Sequence, residues 1–279
     1  MIKACVIGFP IKHSRSPLIH NHWLKELGIE GSYEKHEVKP TDLERFLRDL
    51  PHSQFVGCNV TLPHKEAACA LVDHRDERAT RTGSANTIYV RDGQTYATST
   101  DGQGFVDNVM WRFPAFTFTG KTVMILGAGG SARAIIDELL RRGVSRILLA
   151  NRTLSKAEAI ANTFGPLVVP LELQQITKRL PEAELLVNTT SAGVADDASL
   201  DIEMPKLPKS ALVTDINYVP LITPFLKQAQ SAGLSTVPGL GMLLHQAVTG
   251  FEMWFGIRPK VTEDLYALVA RDISPDYEP

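Results

Sequence analysis

Lys121–Leu126 is an apolar run of strand length that passes directly into Gly127-Ala128-Gly129-Gly130 and then into a helical stretch, Ser131–Arg142. A chain turns that tightly from strand to helix only where side chains are small. Gly127 permits the turn, Gly129 lets a ligand approach the backbone, and Ala132 keeps the helix close to the strand. The helix N-terminus then presents free N–H groups to an anion, an arrangement that suits a pyrophosphate. Runs at Arg146–Ala150, Leu167–Val169, Leu185–Asn188 and Leu212–Ile216 follow as further strands separated by helices or loops. This alternation predicts a doubly wound sheet.

The N-terminal third reads the same way. Lys3–Gly8, Tyr33–Val38 and Phe55–Thr61 are strand-like, Pro17–Leu27, Thr41–Leu50 and Lys65–Val72 are helical, and Asp92-Gly93 marks a short hairpin. Ser16 and Pro17 suit the N-cap and first position of the first helix, and Gly28 its stop. The expected fold is therefore α/β with two domains, the first built on a mostly parallel sheet and the second Rossmann-like.

Composition agrees with an ordinary globular chain. With 279 residues, 44% of them apolar and a formal net charge of -2, the chain can bury one or two cores, two being the better expectation, and has no global charge that favours nucleic acid or an anionic membrane. Cys5, Cys58 and Cys69 have no metal or redox spacing and read as buried thiols. The opening residues lack a secretory core, which points to the cytoplasm. The uncharged stretch Gln228–Phe251 is broken by Pro238 and glycines and reads as a loop entering a buried helix. His20 and His22 are too close in sequence to share a helix face, so no metal site is expected. No heptad repeat or long apolar edge marks an interface, which leaves monomer or homodimer open.

Two further patterns carry chemistry. After the strand Arg146–Ala150, where an NAD site shows an acid for the ribose hydroxyl, this chain has Asn151-Arg152-Thr153 and then Lys156. Cations there suit a 2′-phosphate, so NADP(H) is the expected cofactor. In the first domain, Ser14, Ser16, Asn59, Thr61, Lys65, Asn86 and Asp101 fall at helix starts, strand ends and turns. That set suits a small polyhydroxylated acid, which needs many donors and acceptors.

The chain resembles the shikimate dehydrogenase family of NADP-dependent oxidoreductases. The resemblance spans nearly the whole chain and rests on GFPIKHSRSP, NVTLPHK, GSANT, TDGQGF, GAGGSARA, NRTLSKA, NTTSAG, DINYVPLITP and GLGMLLHQA, in family order. It implies reduction of 3-dehydroshikimate to shikimate in aromatic amino acid (chorismate) biosynthesis. It implies that Lys65 and Asp101 are catalytic and that Ser14, Ser16, Asn59, Thr61, Asn86, Tyr218 and Gln246 contact the substrate. Gly127, Ala128, Gly129, Gly130, Ser131, Asn151, Arg152, Thr153, Lys156, Thr189, Ile216, Gly239 and Met242 would line the cofactor path, with Glu77 near its nicotinamide end. The family fold brings the C-terminal helices back onto the first domain. The substrate-binding domain would then comprise residues 1–101 and 239–279, and the NADP-binding domain residues 102–238. Two positions depart from the family pattern: Ser99 stands where Asn is common, and Pro238 where Asp or Asn is common.

A lysine ammonium beside a carboxylate is favoured in its charged form, which suits proton donation to a ketone as hydride arrives. Oxidation needs the neutral amine and is expected to rise with pH more steeply than reduction. The alternatives are a quinate-preferring dehydrogenase of the same family and a catalytically weak nucleotide-binding paralogue. Retention of both Lys65 and Asp101 argues against the paralogue.

Overall fold

The first hundred residues fold in the order β1 (Ile2–Gly8), α1 (Ser16–Glu26), β2 (Gly31–Glu37), α2 (Leu43–Asp49), β3 (Phe55–Val60), α3 (Lys65–Leu71), β4 (His74–Arg75), α4 (Glu77–Thr82), β5 (Thr87–Arg91) and β6 (Gln94–Thr98). The computed structural model describes residues 1–190 and 202–278. The end of the NTTSAG motif, residues 191–193, and Pro279 lie outside the described residues.

These strands form one sheet in the order β2-β1-β3-β5-β6-β4. β1 pairs in parallel with both β2 and β3, as their helical crossovers require. β5 runs antiparallel to β3 and to β6. Asp92 and Gly93 turn the β5–β6 hairpin with φ of 53° and 72°, the left-handed pair that matches a two-residue loop to strand twist. β4 then returns parallel beside β6. It and α4 are too short to show a hydrophobic period, so sequence pattern does not reveal them.

Successive strand residues face opposite sides of the sheet. Cys5, Ile7, Cys58 and Val60 pack in a core with Leu43 and Leu47 of α2 and Cys69 of α3, and the three cysteines are buried free thiols. Tyr33 is registered with Ala4, one residue from Cys5, and so points to the other face. There it joins Trp23 of α1 and the C-terminal aromatics Phe251 and Trp254. Both buried indoles find carbonyls: Trp23 Nε1 donates to Lys260 O and Trp254 Nε1 to Ile88 O, each at 3.0 Å. Segment Leu243–Val269 thus belongs with Met1–Gly104 in one compact unit, here unit 1.

The remaining elements are α5 (Asp101–Arg112), β7 (Thr122–Leu126), α6 (Gly130–Arg141), β8 (Arg146–Ala150), α7 (Leu154–Phe164), β9 (Val168–Leu171), α8 (Ile176–Arg179), β10 (Leu185–Asn188), β11 (Leu212–Asp215), α9 (Pro224–Ser231), β12 (Ser235–Val237), α10 (Leu240–Phe255) and α11 (Glu263–Ile273). Phe105–Met242 and Ala270–Tyr277 make up unit 2. Its sheet has the order β12-β11-β10-β7-β8-β9, with every pairing parallel. The strands are apolar on both sides: Val123, Ile125 and Val187 enter one core, Met124, Leu126 and Leu186 the other. Continuous apolar runs rather than alternation follow from that double burial. Strand order reverses between β7 and β10, the switch point where open α/β sheets bind ligands.

The stretch Gln228–Phe251 resolves into the end of α9, the short strand β12 and most of α10. Among the described residues no helix is long and apolar enough to cross a membrane.

Candidate active site

α1 starts one residue earlier than its sequence suggests. Arg15 occupies the N-cap without a side-chain bond, and Ser16 is the first helical residue rather than the cap. Ser14 Oγ accepts the Ser16 N–H at 3.4 Å, so the capping oxygen comes from Ser14. The Ser16 hydroxyl is left beside Tyr33.

β3 delivers Asn59 at its end, and the next turn places Lys65 at the start of α3. His64, buried just before it, donates from Nε2 to Val38 O at 2.7 Å and anchors the turn. Thr61 N bonds Ile7 O at 2.9 Å, which continues the β1 pairing past the strand end. Ala85 N bonds Lys65 O at 3.0 Å, and Val60 N bonds Asn86 O at 2.9 Å, so the Gly83–Thr87 segment is laced onto this turn.

The side chains then converge. Lys65 Nζ lies 2.5 Å from Asp101 Oδ2, with the two side chains only 18% and 9% exposed. Asp101 Oδ1 accepts from Asn86 Nδ2 at 2.8 Å. The same Nδ2 lies 2.9 Å from Thr100 Oγ1 and 3.1 Å from Gln246 Oε1. Asn86 Oδ1 accepts from Thr100 N at 2.7 Å, and Thr100 Oγ1 donates to Gln246 O at 2.9 Å. Asn59 joins through Nδ2, 3.1 Å from Asn86 O and 3.2 Å from Thr87 Oγ1.

Lys65, Asp101, Asn86, Asn59 and Gln246 thus meet in one buried network within unit 1. Chemically, it offers a lysine amino group that gives a proton when charged and takes one when neutral, held by a carboxylate whose other oxygen accepts from Asn86. Thr100, Thr87 and Tyr33 belong to the network although sequence reasoning assigned them no role. Thr100 and Thr87 sit inside the quoted Thr-Asp-Gly and Gly-Ser-Ala-Asn-Thr motifs, which was the available signal; Tyr33 had none. Glu77 is not part of this network; it is exposed in the first turn of α4, after the Asp76 cap that takes the Ala79 N–H at 2.8 Å.

In unit 2 the candidate groups gather at the C-terminal ends of the parallel strands. Gly127 follows β7 with φ +105°, and a Cβ there would lie 2.6 Å from Thr189 Oγ1 at the end of β10. Thr189 Oγ1 in turn donates to Leu126 O at 2.8 Å. Gly129 caps α6; nothing lies within 4 Å of where its Cβ would be. α6 has neither a side-chain cap nor an acidic residue in its first turn, so its leading N–H groups, from Gly130 and Ser131 onward, suit an anion. Beyond β8, Asn151 Nδ2 bonds Thr153 O at 2.9 Å, and Thr153 stands at the N-cap position of α7 without a side-chain capping bond; Arg152 and Lys156 are exposed nearby in sequence. These features fit a phosphorylated dinucleotide.

The loops after β10 and β11 are braced by buried Asp215. It accepts from Thr223 Oγ1 at 2.7 Å and from Asn217 N at 3.0 Å, while Asn217 Nδ2 also reaches Thr190 O at 2.7 Å. Burial pushes the Asp215 carboxyl above its usual range, against these bonds. Ile216 N bonds Asn188 O at 3.1 Å, and Gly239 packs so closely on the carbonyls of Asp215, Ile216 and Asn217 that a Cβ would lie within 2.6 Å of each. Pro238, the departure from the family pattern, keeps its carbonyl in use as acceptor for Asn108 Nδ2 at 3.0 Å. Met242 is buried in the core, and half-buried Tyr218 lies in the loop after β11.

Comparison with known proteins gives the family. A family model described as the shikimate dehydrogenase substrate binding domain matches residues 6–88, one for shikimate / quinate 5-dehydrogenase matches residues 112–242, and one for the shikimate 5′-dehydrogenase C-terminal domain matches residues 239–264. A shikimate dehydrogenase (NADP(+)) of Nitrobacter hamburgensis is 51% identical over 97% of this chain and 94% of its own length. The shikimate 5-dehydrogenase of Thermus thermophilus, solved with NADP(H) and shikimate, superposes with a TM-score of 0.86 at 34% identity, covering 97% of this chain and 99% of the other. A quinate dehydrogenase of Corynebacterium glutamicum, solved with NAD, gives a TM-score of 0.87 at 28% identity, covering 96% and 98%. With family matches running from residue 6 to residue 264 and a half-identical relative along nearly its full length, the chain belongs to the shikimate dehydrogenase family.

Proposed function

We propose that this chain catalyses the reversible NADPH-dependent reduction of 3-dehydroshikimate to shikimate, an oxidoreductase step acting on a CH–OH group in aromatic amino acid biosynthesis. The observation that carries the reading is the Lys65–Asp101 pair, 2.5 Å apart inside a network of amides and hydroxyls. Bound NADPH supplies the hydride for the ketone carbon. Lys65 polarises the ketone oxygen from its charged form and gives it the proton that completes the hydroxyl, and in the oxidative direction it takes that proton back. Asp101 holds the ammonium with one carboxylate oxygen while Asn86 holds the other, so the donor is already aimed before substrate arrives.

Substrate recognition is assigned to Ser14, Ser16, Asn59, Thr61, Asn86, Tyr218 and Gln246, and the domain roles to residues 1–101 with 239–279 for substrate and 102–238 for NADP. Gly127–Ser131, Asn151, Thr153, Thr189, Ile216, Gly239 and Met242 would hold the cofactor, with Glu77 toward its nicotinamide end. Arg152 and Lys156, exposed and without an acid between them and β8, support NADP over NAD. The three buried free thiols are in keeping with a reducing cytoplasm. The test is a nicotinamide absorbance assay of shikimate and quinate, each with NADP and NAD. Shikimate with NADP should give the highest kcat/KM; a higher value for quinate would overturn the substrate assignment.

A further inference from the structure

A buried phenol stands between two residues that the proposed function places at the substrate. Tyr33, 2% exposed, donates its hydroxyl to Asn59 Oδ1 at 2.6 Å. The Ser16 side chain lies beside the same phenol. The ring itself is clamped: the His20 imidazole stacks on it at 4.0 Å between centroids and 5° between planes, and Trp254 approaches at 5.9 Å. Burial lowers the His20 pKa to about 3, so the clamp is a neutral ring that brings no charge beside the phenol. A phenol so enclosed keeps one hydroxyl position, because an unmade bond there leaves a buried donor unsatisfied.

A carboxamide is nearly symmetric in shape, so its environment decides which end faces a ligand. At Asn59 the Asn86 carbonyl, which only accepts, fixes the amino end, and the Tyr33 hydroxyl donates to one lone pair of the carbonyl end. Both Nδ2 protons are then committed inside the protein, toward Asn86 O and Thr87 Oγ1. What Asn59 can still offer is the second lone pair of Oδ1, an acceptor for a ligand hydroxyl. Without the phenol, Oδ1 loses the donor that holds the carboxamide plane, and the amide is left held by its Nδ2 end alone. A tilt of that plane would also loosen the bond to Asn86 O, and Asn86 holds Asp101.

We propose that Tyr33 is a positioning residue of the substrate site: its hydroxyl holds Oδ1 of the Asn59 carboxamide in place as an acceptor for a substrate hydroxyl and couples Asn59 to Ser16. The proposal rests on the shikimate dehydrogenase reading, and its test separates the two. Shikimate binding is measured by calorimetry, and kcat and both KM values by initial rates, in the parent chain and in Tyr33→Phe, which keeps the ring stack. Tyr33→Phe should raise Kd and KM for shikimate about 10-fold, with KM for NADP and kcat within about two- to three-fold. In an Asn59→Ala background the same change should cost less than about two-fold, since its route is already removed. Shikimate affinity within about two-fold of the parent, or equal rises in both KM values, would overturn the proposal. Where Tyr33→Phe fails to fold, Ser16→Ala and Asn59→Ala serve instead: combined, they should lose at least about three-fold less than the product of their separate losses, and independent losses overturn it. A parent chain that neither binds nor oxidises shikimate overturns the functional reading and this proposal with it.

Discussion

The two units hold their candidate groups by different means. In unit 1, side chains hold side chains: Lys65 to Asp101, Asp101 to Asn86, Asn86 to Gln246 across 160 positions of sequence, and Asn59 to Tyr33. In unit 2, the main chain makes the cradle: a glycine turn, the uncapped start of α6 and exposed cations on the next loop. The ligands explain the contrast. A small polyhydroxy acid is told apart by particular donors and acceptors, and each of those is costly when buried unsatisfied, so they satisfy one another. A pyrophosphate needs only an aligned row of N–H groups and room to approach.

The largest effect should come from breaking the side-chain arrangement at its centre. Lys65→Ala is expected to lower kcat on the order of 10²–10⁴-fold, measured by initial rates on a variant whose melting temperature shows it folded. A variant within a few-fold of the parent would remove Lys65 from proton transfer. In unit 2, Arg152→Ala should raise KM for NADP about 10-fold or more while leaving KM for NAD unchanged, since only NADP carries the 2′-phosphate. Equal rises for both coenzymes would mean that Arg152 does not read that group.

Gly129→Ala and Gly127→Ala should separate binding from stability. Gly129 has ordinary extended backbone, φ -98°, and open space at its Cβ position. Alanine there should leave stability intact and weaken NADP, because the methyl stands where the phosphates approach. Gly127 has φ +105° and Thr189 against it. Alanine there should cost about 1–3 kcal/mol in urea unfolding. If the two variants behave alike, the division between room for ligand and backbone strain is wrong.

A last expected effect concerns pH. His20 is held neutral by burial, with its pKa lowered to about 3, while an unfolded histidine titrates near about 6.5. The unfolded state therefore binds the extra proton between those values. Stability is fully present above about pH 6.5 and falls as pH drops through that window, by about 2 kcal/mol at about pH 5. Urea unfolding of His20→Phe should show a flatter loss between neutral and mildly acidic pH than the parent; an unchanged slope would assign the loss to other groups.

Much of unit 2 was legible in the sequence. The β7 run, the glycine turn and α6 depend on apolar continuity and on sterics within a few residues, and they appear within a residue of their expected bounds. Unit 1 was legible in its strand and helix order, but less so in detail. β4 and α4 are too short to carry a period. Ser16 looked like a helix cap, and the structure hands that task to Ser14. Tyr33 sits in a strand with no local mark to distinguish it from any half-buried aromatic.

The sequence by itself determined the α/β alternation, the strand-turn-helix that suits a pyrophosphate, the cations in place of a ribose-binding acid, and the motifs that carry the family resemblance. These rest on local sterics, hydrophobic period and residue type. Only the tertiary structure decided that Asn86, Asp101 and Gln246 share hydrogen bonds, that the phenol of Tyr33 lies between Ser16 and Asn59, and that Gly127 is pressed against Thr189. Those contacts depend on which strands become neighbours and which faces are buried, and pairing across a sheet is not written in any one segment.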